Sequence, residues 1–280
     1  MIADTPLTMV GMEPPVPPRP DERPSRFDWE GVDWTPLPTR RRRRGAALVA
    51  TLVACALVAA AIAGGVTATK TIAPQGSNRD YKFLAVIGGE PVRWNPCQPI
   101  HYTIDAATAP EGSVDDVYEA IQRISSATGI TFLYDGQTTE IPQRDRPPYE
   151  PERFGSRWAP VVIAWASPGQ TDIPFSGNGH AFAAVARPLT APDDPRQFVS
   201  GWIVLNAQDP NPPGWSEPGD QGPTVLHELG HIMGLNHVAS KAELMEPSGG
   251  LVTDLGPGDR QGLALLGRDA GCLVEPVPVP

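Results

Sequence analysis

His227-Glu228-Leu229-Gly230-His231-Ile232-Met233-Gly234-Leu235-Asn236-His237 carries three of the five histidines in a chain of 280 residues, at the spacing H-E-x-x-H-x-x-G-x-x-H. On a helix His227 and His231 are i and i+4, so both imidazoles project from one face. Two nitrogens placed this way can share one zinc ion at Zn–N distances of ~2.0–2.1 Å. Gly234 lets the chain leave the helix sharply, because glycine tolerates positive φ, and His237 can then swing back as a third ligand. Three protein ligands leave a fourth position for water, the pattern of a catalytic rather than a structural zinc site. Glu228 follows the first ligand without being one, where a general base is needed. Val225, Leu226, Leu229, Ile232 and Met233 give the same helix an apolar side on which to be buried.

Beyond His237 comes Glu243-Leu244-Met245-Glu246-Pro247. The zinc motif followed by this string resembles the metzincin metallopeptidases, whose pattern is a zinc-binding helix, a glycine turn, a third histidine and a Met-turn. The short gap to Met245 and the Leu-Met-x-Pro string are similar to the matrixin branch. Residues 91–104 and 255–263 resemble that branch more weakly, as its entry to a first strand and its closing helix. The resemblance implies an α+β, zincin-like catalytic domain with a mixed twisted sheet, an active-site helix, a Met-turn and a C-terminal helix. It implies Met245 as a hydrophobic floor beneath the metal without being a ligand. It also implies a substrate lying extended along an edge strand, with residues 246–251 walling the specificity pocket. Three features depart from the family pattern. Val238 stands where matrixins usually carry serine, Glu246 where an aromatic residue is common, and no propeptide cysteine switch is visible.

The rest of the chain sets the context of the motif. Residues 1–44 are proline-rich, with Pro14-Pro15-Val16-Pro17-Pro18, and read as a solvated cytoplasmic tail or a ligand for a proline-recognising domain. Trp29 and Trp34 in it could dock on a membrane or a partner. Residues 40–44 are all arginine, and the uncharged stretch 45–69 that follows is long enough to cross a hydrocarbon core of about 30 Å. Arginines on one flank against Lys70 on the other orient a single transmembrane helix with its N-terminus inside. A signal peptide cleaved near Ala59-Ala60-Ala61 is the competing reading. A linker at 70–80 then leads to a catalytic domain at 81–272 and a proline-rich segment at 273–280. The formal net charge of −10 comes from the part beyond the span, which disfavours nucleic acid as a substrate. Cys97 and Cys272 are an even pair in an exported domain, and either form a disulfide or remain as two buried thiols.

Composition and spacing predict strands at 100–104, 130–134, 161–165, 180–187 and 198–206. They predict a helix at 113–128 capped by Ser113, with Asp116 three residues on, and stopped by Gly129. Residues 136–156 read as a polar surface loop, and 207–223 as a loop delivering the zinc helix. The acidic residues between Asp209 and Asp220 either bind calcium or are simply solvated; His101 and His180 are isolated.

The expected activity is zinc-dependent cleavage of peptide bonds in extracytoplasmic protein, with Glu228 as general base. The alternatives are a membrane-anchored zinc-containing binding protein without turnover, and a signalling role for the N-terminal tail with the domain as its output. Nothing in the sequence fixes the oligomeric state.

Overall fold

The computed structural model describes residues 75–280 except 178–179, 182–183, 249–251, 275 and 279–280, and gives only the backbone at 176–177 and 180–181. The expected tail 1–44 and span 45–69 lie outside the described residues. Among the described residues no helix is long and apolar enough to cross a membrane.

The domain is α+β. Three two-residue strands come first: β1 (Lys82–Phe83), β2 (Val86–Ile87) and β3 (Glu90–Pro91). They are followed by β4 (Ile100–Asp105), helix α1 (Ser113–Thr128), β5 (Phe132–Gln137), the single turn α2 (Pro151–Phe154) and β6 (Val161–Ala166). Next come β7 (Ser176–Gly177), β8 (His180–Ala181), β9 (Ala184–Thr190), β10 (Phe198–Asn206), α3 (Gln221–Met233), β11 (Leu235–Asn236) and α4 (Pro257–Leu266). The main sheet has the order β5-β4-β6-β10-β9. Its first four strands are parallel, and β9 closes the edge antiparallel to β10. Parallel strands covered on both faces read as unbroken apolar runs. Accordingly every residue of β6, and all of β10 but its last, is buried.

Side chains alternate across the sheet. Ile163, Trp165, Ile203 and Leu205 join Ile104 beneath Val117, Ile121 and Ile124 of α1 and the apolar side of α3. Trp202 and Val204 point the other way, into a smaller cluster with Ile173, Phe175 and Leu189. That second face is covered by the segment expected to be a surface loop. Arg146 sinks into it, donating to Glu140 at 2.6 Å, the Ser200 hydroxyl at 3.0 Å and the Pro160 carbonyl at 3.1 Å. A polar composition there marks a buried charge network rather than solvation.

Other expectations shift locally. Gly112, at φ 91°, takes the cap position of α1, so Ser113 is already helical. The Asp116 carboxylate leaves its own helix to accept the Gly214 N–H at 2.9 Å. The strand expected at 130–134 begins at Phe132 and runs to Gln137. The strand expected at 180–187 divides into β8, paired with β7, and β9, which continues through Pro188 to Thr190. Proline is tolerated there because β9 is an edge strand. Helix α3 starts at Gln221 and takes in Pro223, whose missing N–H costs nothing in a first turn.

Cys97 and Cys272 are joined in a disulfide with Cα atoms 5.4 Å apart. Beside it the Asn95 amide donates to the Leu273 carbonyl at 3.0 Å and accepts the Leu273 N–H at 3.1 Å. The segment before β4 is thereby stitched to the segment after α4.

Candidate metal centre

Helix α3 presents two different sides. Val225, Leu226, Leu229, Ile232 and Met233 are all buried in the core, while His227 and His231 are only partly covered. The helix ends at Gly234 with φ 107°, and the Gly234 N–H returns to the His231 carbonyl at 3.0 Å. Glycine is required there twice over. The conformation is left-handed, and a Cβ would lie 3.0 Å from the Phe198 ring and 3.2 Å from the Val92 carbonyl. The chain is caught at once by β1: the Leu84 N–H donates to the Gly234 carbonyl at 2.7 Å, and Phe83 pairs with Leu235. The strand so fixed delivers His237.

The three imidazoles converge. Nε2 of His237 lies 3.1 Å from Nε2 of His227 and 3.1 Å from Nε2 of His231. Three nitrogens ~2.0–2.1 Å from one tetrahedral ion would stand about 3.3 Å apart, so the set fits a zinc ion. The far side of two rings is fixed as well. His227 Nδ1 lies 2.7 Å from the Leu244 carbonyl and His231 Nδ1 2.9 Å from the Leu235 carbonyl. A carbonyl only accepts, so each Nδ1 carries the hydrogen and each Nε2 turns a lone pair inward, the arrangement that orients metal-bound histidines. Burial, then the neighbouring His231, pushes His227 down to about 3. Burial pushes His231 down to about 4 and lowers His237. All three are therefore neutral at pH 7, the form that binds metal. Among the described residues this is the only group of three or more histidine, cysteine or carboxylate side chains with metal-ligand spacing.

Glu228 is buried on the same helix and accepts the backbone N–H of Ala186, on edge strand β9. Burial pushes its carboxyl up to about 8. Met245 is 1% exposed, and its sulfur sits under the helix where Gly230 lacks a side chain: a Cβ there would be 2.5 Å from Sδ. The Val238 N–H donates to the Met245 carbonyl at 3.0 Å, tying the residue after the third histidine to the same turn.

Two buried carboxylates that the motif does not include hold this turn. Asp259 accepts the N–H groups of Leu244 at 2.6 Å, Gly256 at 2.9 Å and Met245 at 3.4 Å. Glu243 reaches back to the N–H groups of Gly258 and Asp259, at 2.8 and 3.0 Å, in the first turn of α4. Burial raises the pKa of both. The only sequence signal for the clasp is an acidic residue beside the Met-turn string and another in the first turn of the closing helix.

The remaining candidates lie elsewhere. His101 Nδ1 faces Asp135 at 2.7 Å, and Arg157 joins the pair. The side chain of His180 is outside the described set. Asp209 accepts the Asn211 N–H, and Asp220 those of Ser216 and Glu217, so both carboxylates shape their own loop. Of the expected pocket wall, Glu246 accepts from Ser248, and 249–251 lie outside the described residues.

No family model matches the chain, and no curated protein matches it. Among solved structures, archaemetzincin from Methanopyrus kandleri is similar at 16% identity over 59% of this chain and 93% of its own, with a TM-score of 0.38. A likeness of that size lends no weight to a functional reading, which rests on the residues themselves.

Proposed function

We propose that residues 81–272 form a metzincin-type zinc endopeptidase domain, most similar to matrixins, that hydrolyses peptide bonds in extracytoplasmic protein. The observation that carries the reading is the convergence of three neutral imidazole nitrogens beside a buried carboxylate on the same helix. His227, His231 and His237 would hold zinc through Nε2. A bound zinc ion supplies Lewis acidity toward a carbonyl oxygen and lowers the pKa of water toward ~7. Glu228 accepts the proton of the attacking water on its carboxylate and delivers it to the leaving amine. A carboxyl drawn up by burial holds that proton between the two transfers, and a nearby cation favours its ionised form. Among the described residues, strand β9 pairs on one side only, with β10. An extended substrate can add to its other side.

A zinc-containing binding protein without turnover would not need Glu228, and burying that carboxyl is costly. Its retention favours the enzyme. The test is incubation of the zinc-loaded protein with casein and broad peptide libraries, with removal and restoration of zinc. Cleavage that disappears with chelator and returns with zinc is expected. A protein that holds zinc and cleaves nothing would be a binding protein.

The anchoring of this domain outside the membrane by residues 45–69 is part of the same proposal. It is supported by the arginine run before the apolar stretch and by the Cys97–Cys272 link, which suits an oxidising compartment. N-terminal sequencing of the mature protein tests it: a start between residues 60 and 75 would mean cleavage and secretion.

A further inference from the structure

Where β4 and β10 begin, a cavity of about 480 Å³ is walled by Trp94, Ile100, Trp158 and Phe198, with the more exposed Arg157 and His101 also lining it. None of the three converging histidines lines it. Pro276, Val277 and Pro278 do. The Trp158 indole N–H donates to the Pro276 carbonyl at 3.3 Å, and the Tyr149 ring stands edge-on against the same indole with centroids 5.9 Å apart. The approach of this segment is fixed upstream by the paired hydrogen bonds of Asn95 with Leu273 and by the disulfide at Cys272. Beyond that anchor it is only lightly seated, with Val274 91% and Val277 76% exposed.

This is the physics of proline-peptide recognition. A Pro-x-Pro stretch is already extended, loses little entropy on docking, and offers carbonyls that no internal hydrogen bond uses. An aromatic groove with one indole N–H meets both its rings and its carbonyls. The stretch Pro276-Val277-Pro278 has that composition.

We infer that the groove around Trp158 is a peptide-binding site for a short proline-rich segment, and that Pro276-Val277-Pro278 of this chain is its occupant. The tether at Cys272 gives the segment a high effective concentration. Light contacts therefore keep it in place, and a free peptide must compete with it.

The test uses the full chain and a fluorescein-labelled synthetic peptide of sequence 274–280, read by anisotropy. Substituting Pro276→Gly, Val277→Gly and Pro278→Gly together weakens the internal occupant. That variant is expected to bind the peptide at least about tenfold more tightly than the parent chain, as the loss of an internal competitor requires. A peptide with its three prolines replaced by alanine is expected to bind about tenfold more weakly. Adding Trp158→Phe, which keeps a ring and removes the donor, should weaken binding about fivefold, the size of one hydrogen bond. Independently of that variant's folding, the Trp158 indole N–H resonance of the glycine variant should move on titration with the peptide. No binding to the glycine variant, equal binding of the alanine peptide, or an unmoved indole resonance would each overturn the inference.

Discussion

Replacing Asp259 by alanine should loosen the metal centre from beneath, although Asp259 touches none of the three histidines. Its carboxylate accepts two good hydrogen bonds, from Leu244 at 2.6 Å and Gly256 at 2.9 Å, and a long one from Met245 at 3.4 Å. A buried donor left without a partner costs about 1–3 kcal/mol. Two such donors and a weak third would cost about 3–5 kcal/mol. Relief of the burial that raises the Asp259 pKa offsets part of this, leaving a net loss of about 2–4 kcal/mol. For a domain of this size each kcal/mol moves the melting temperature by about 2–4 °C, so a fall of about 8 °C is expected for the metal-free protein. The second consequence is specific to the site. Leu244 offers its carbonyl to His227 Nδ1, so freeing its N–H frees the peptide that orients the first ligand. Loss of such outer support typically weakens metal binding about 10–100-fold. Asp259→Asn keeps one carbonyl acceptor and should fall between the two. The assays are urea unfolding without metal and competition for zinc against a chelator of known affinity. If Asp259→Ala unfolds within about 1 kcal/mol of the parent and holds zinc equally well, the clasp does not support the centre.

Gly230→Ala places a methyl group 2.5 Å from the Met245 sulfur; displacement of that side chain should lower zinc affinity severalfold with the fold intact, checked by the same competition and by circular dichroism. Replacing Cys97 and Cys272 together by serine removes a link between residues 175 apart, and should cost about 2–5 kcal/mol in chemical unfolding while leaving zinc stoichiometry unchanged. Glu228 has a folded pKa raised from 4.5 to about 8. Between those values the folded state binds more protons than the unfolded, so its contribution to stability is present below pH 4.5 and is lost as pH rises through 8. Metal-free Glu228→Gln should therefore gain on the parent steadily from pH 4.5 to 8.5 in urea unfolding, and a constant difference across that range would contradict the burial argument.

What the sequence made legible is what lies close together along it. His227, Glu228, His231, Gly234 and His237 sit on one helix and its exit turn, so spacing alone brings the imidazoles to one side. The buried strand expected at 161–165 announces itself by an unbroken apolar run, and that at 198–206 by a run apolar except at Ser200, Gly201 and the terminal Asn206. What stayed hidden depends on partners far apart in sequence. The N–H that Glu228 accepts belongs to Ala186, an unremarkable residue on an edge strand. The Met-turn hangs from Asp259 through contacts that only tertiary structure creates. Arg146 looks like loop polarity until Glu140 and Ser200 close around it. Asp116 has the spacing of a capping residue, yet Gly214 in a distant loop offers it a donor, and Gly112 takes over the cap by its left-handed backbone.

The most direct test of the central claim is the peptide-cleavage rate of Glu228→Gln measured at zinc occupancy equal to that of the parent. Glutamine keeps the shape of the side chain and its buried position but cannot take up the proton of water. The expected result is full zinc content, held by His227, His231 and His237, with the rate reduced at least about 10²–10⁴-fold, the usual size of a general-base contribution. Cleavage at the parent rate by a zinc-loaded Glu228→Gln protein would contradict the assignment of Glu228 as the base.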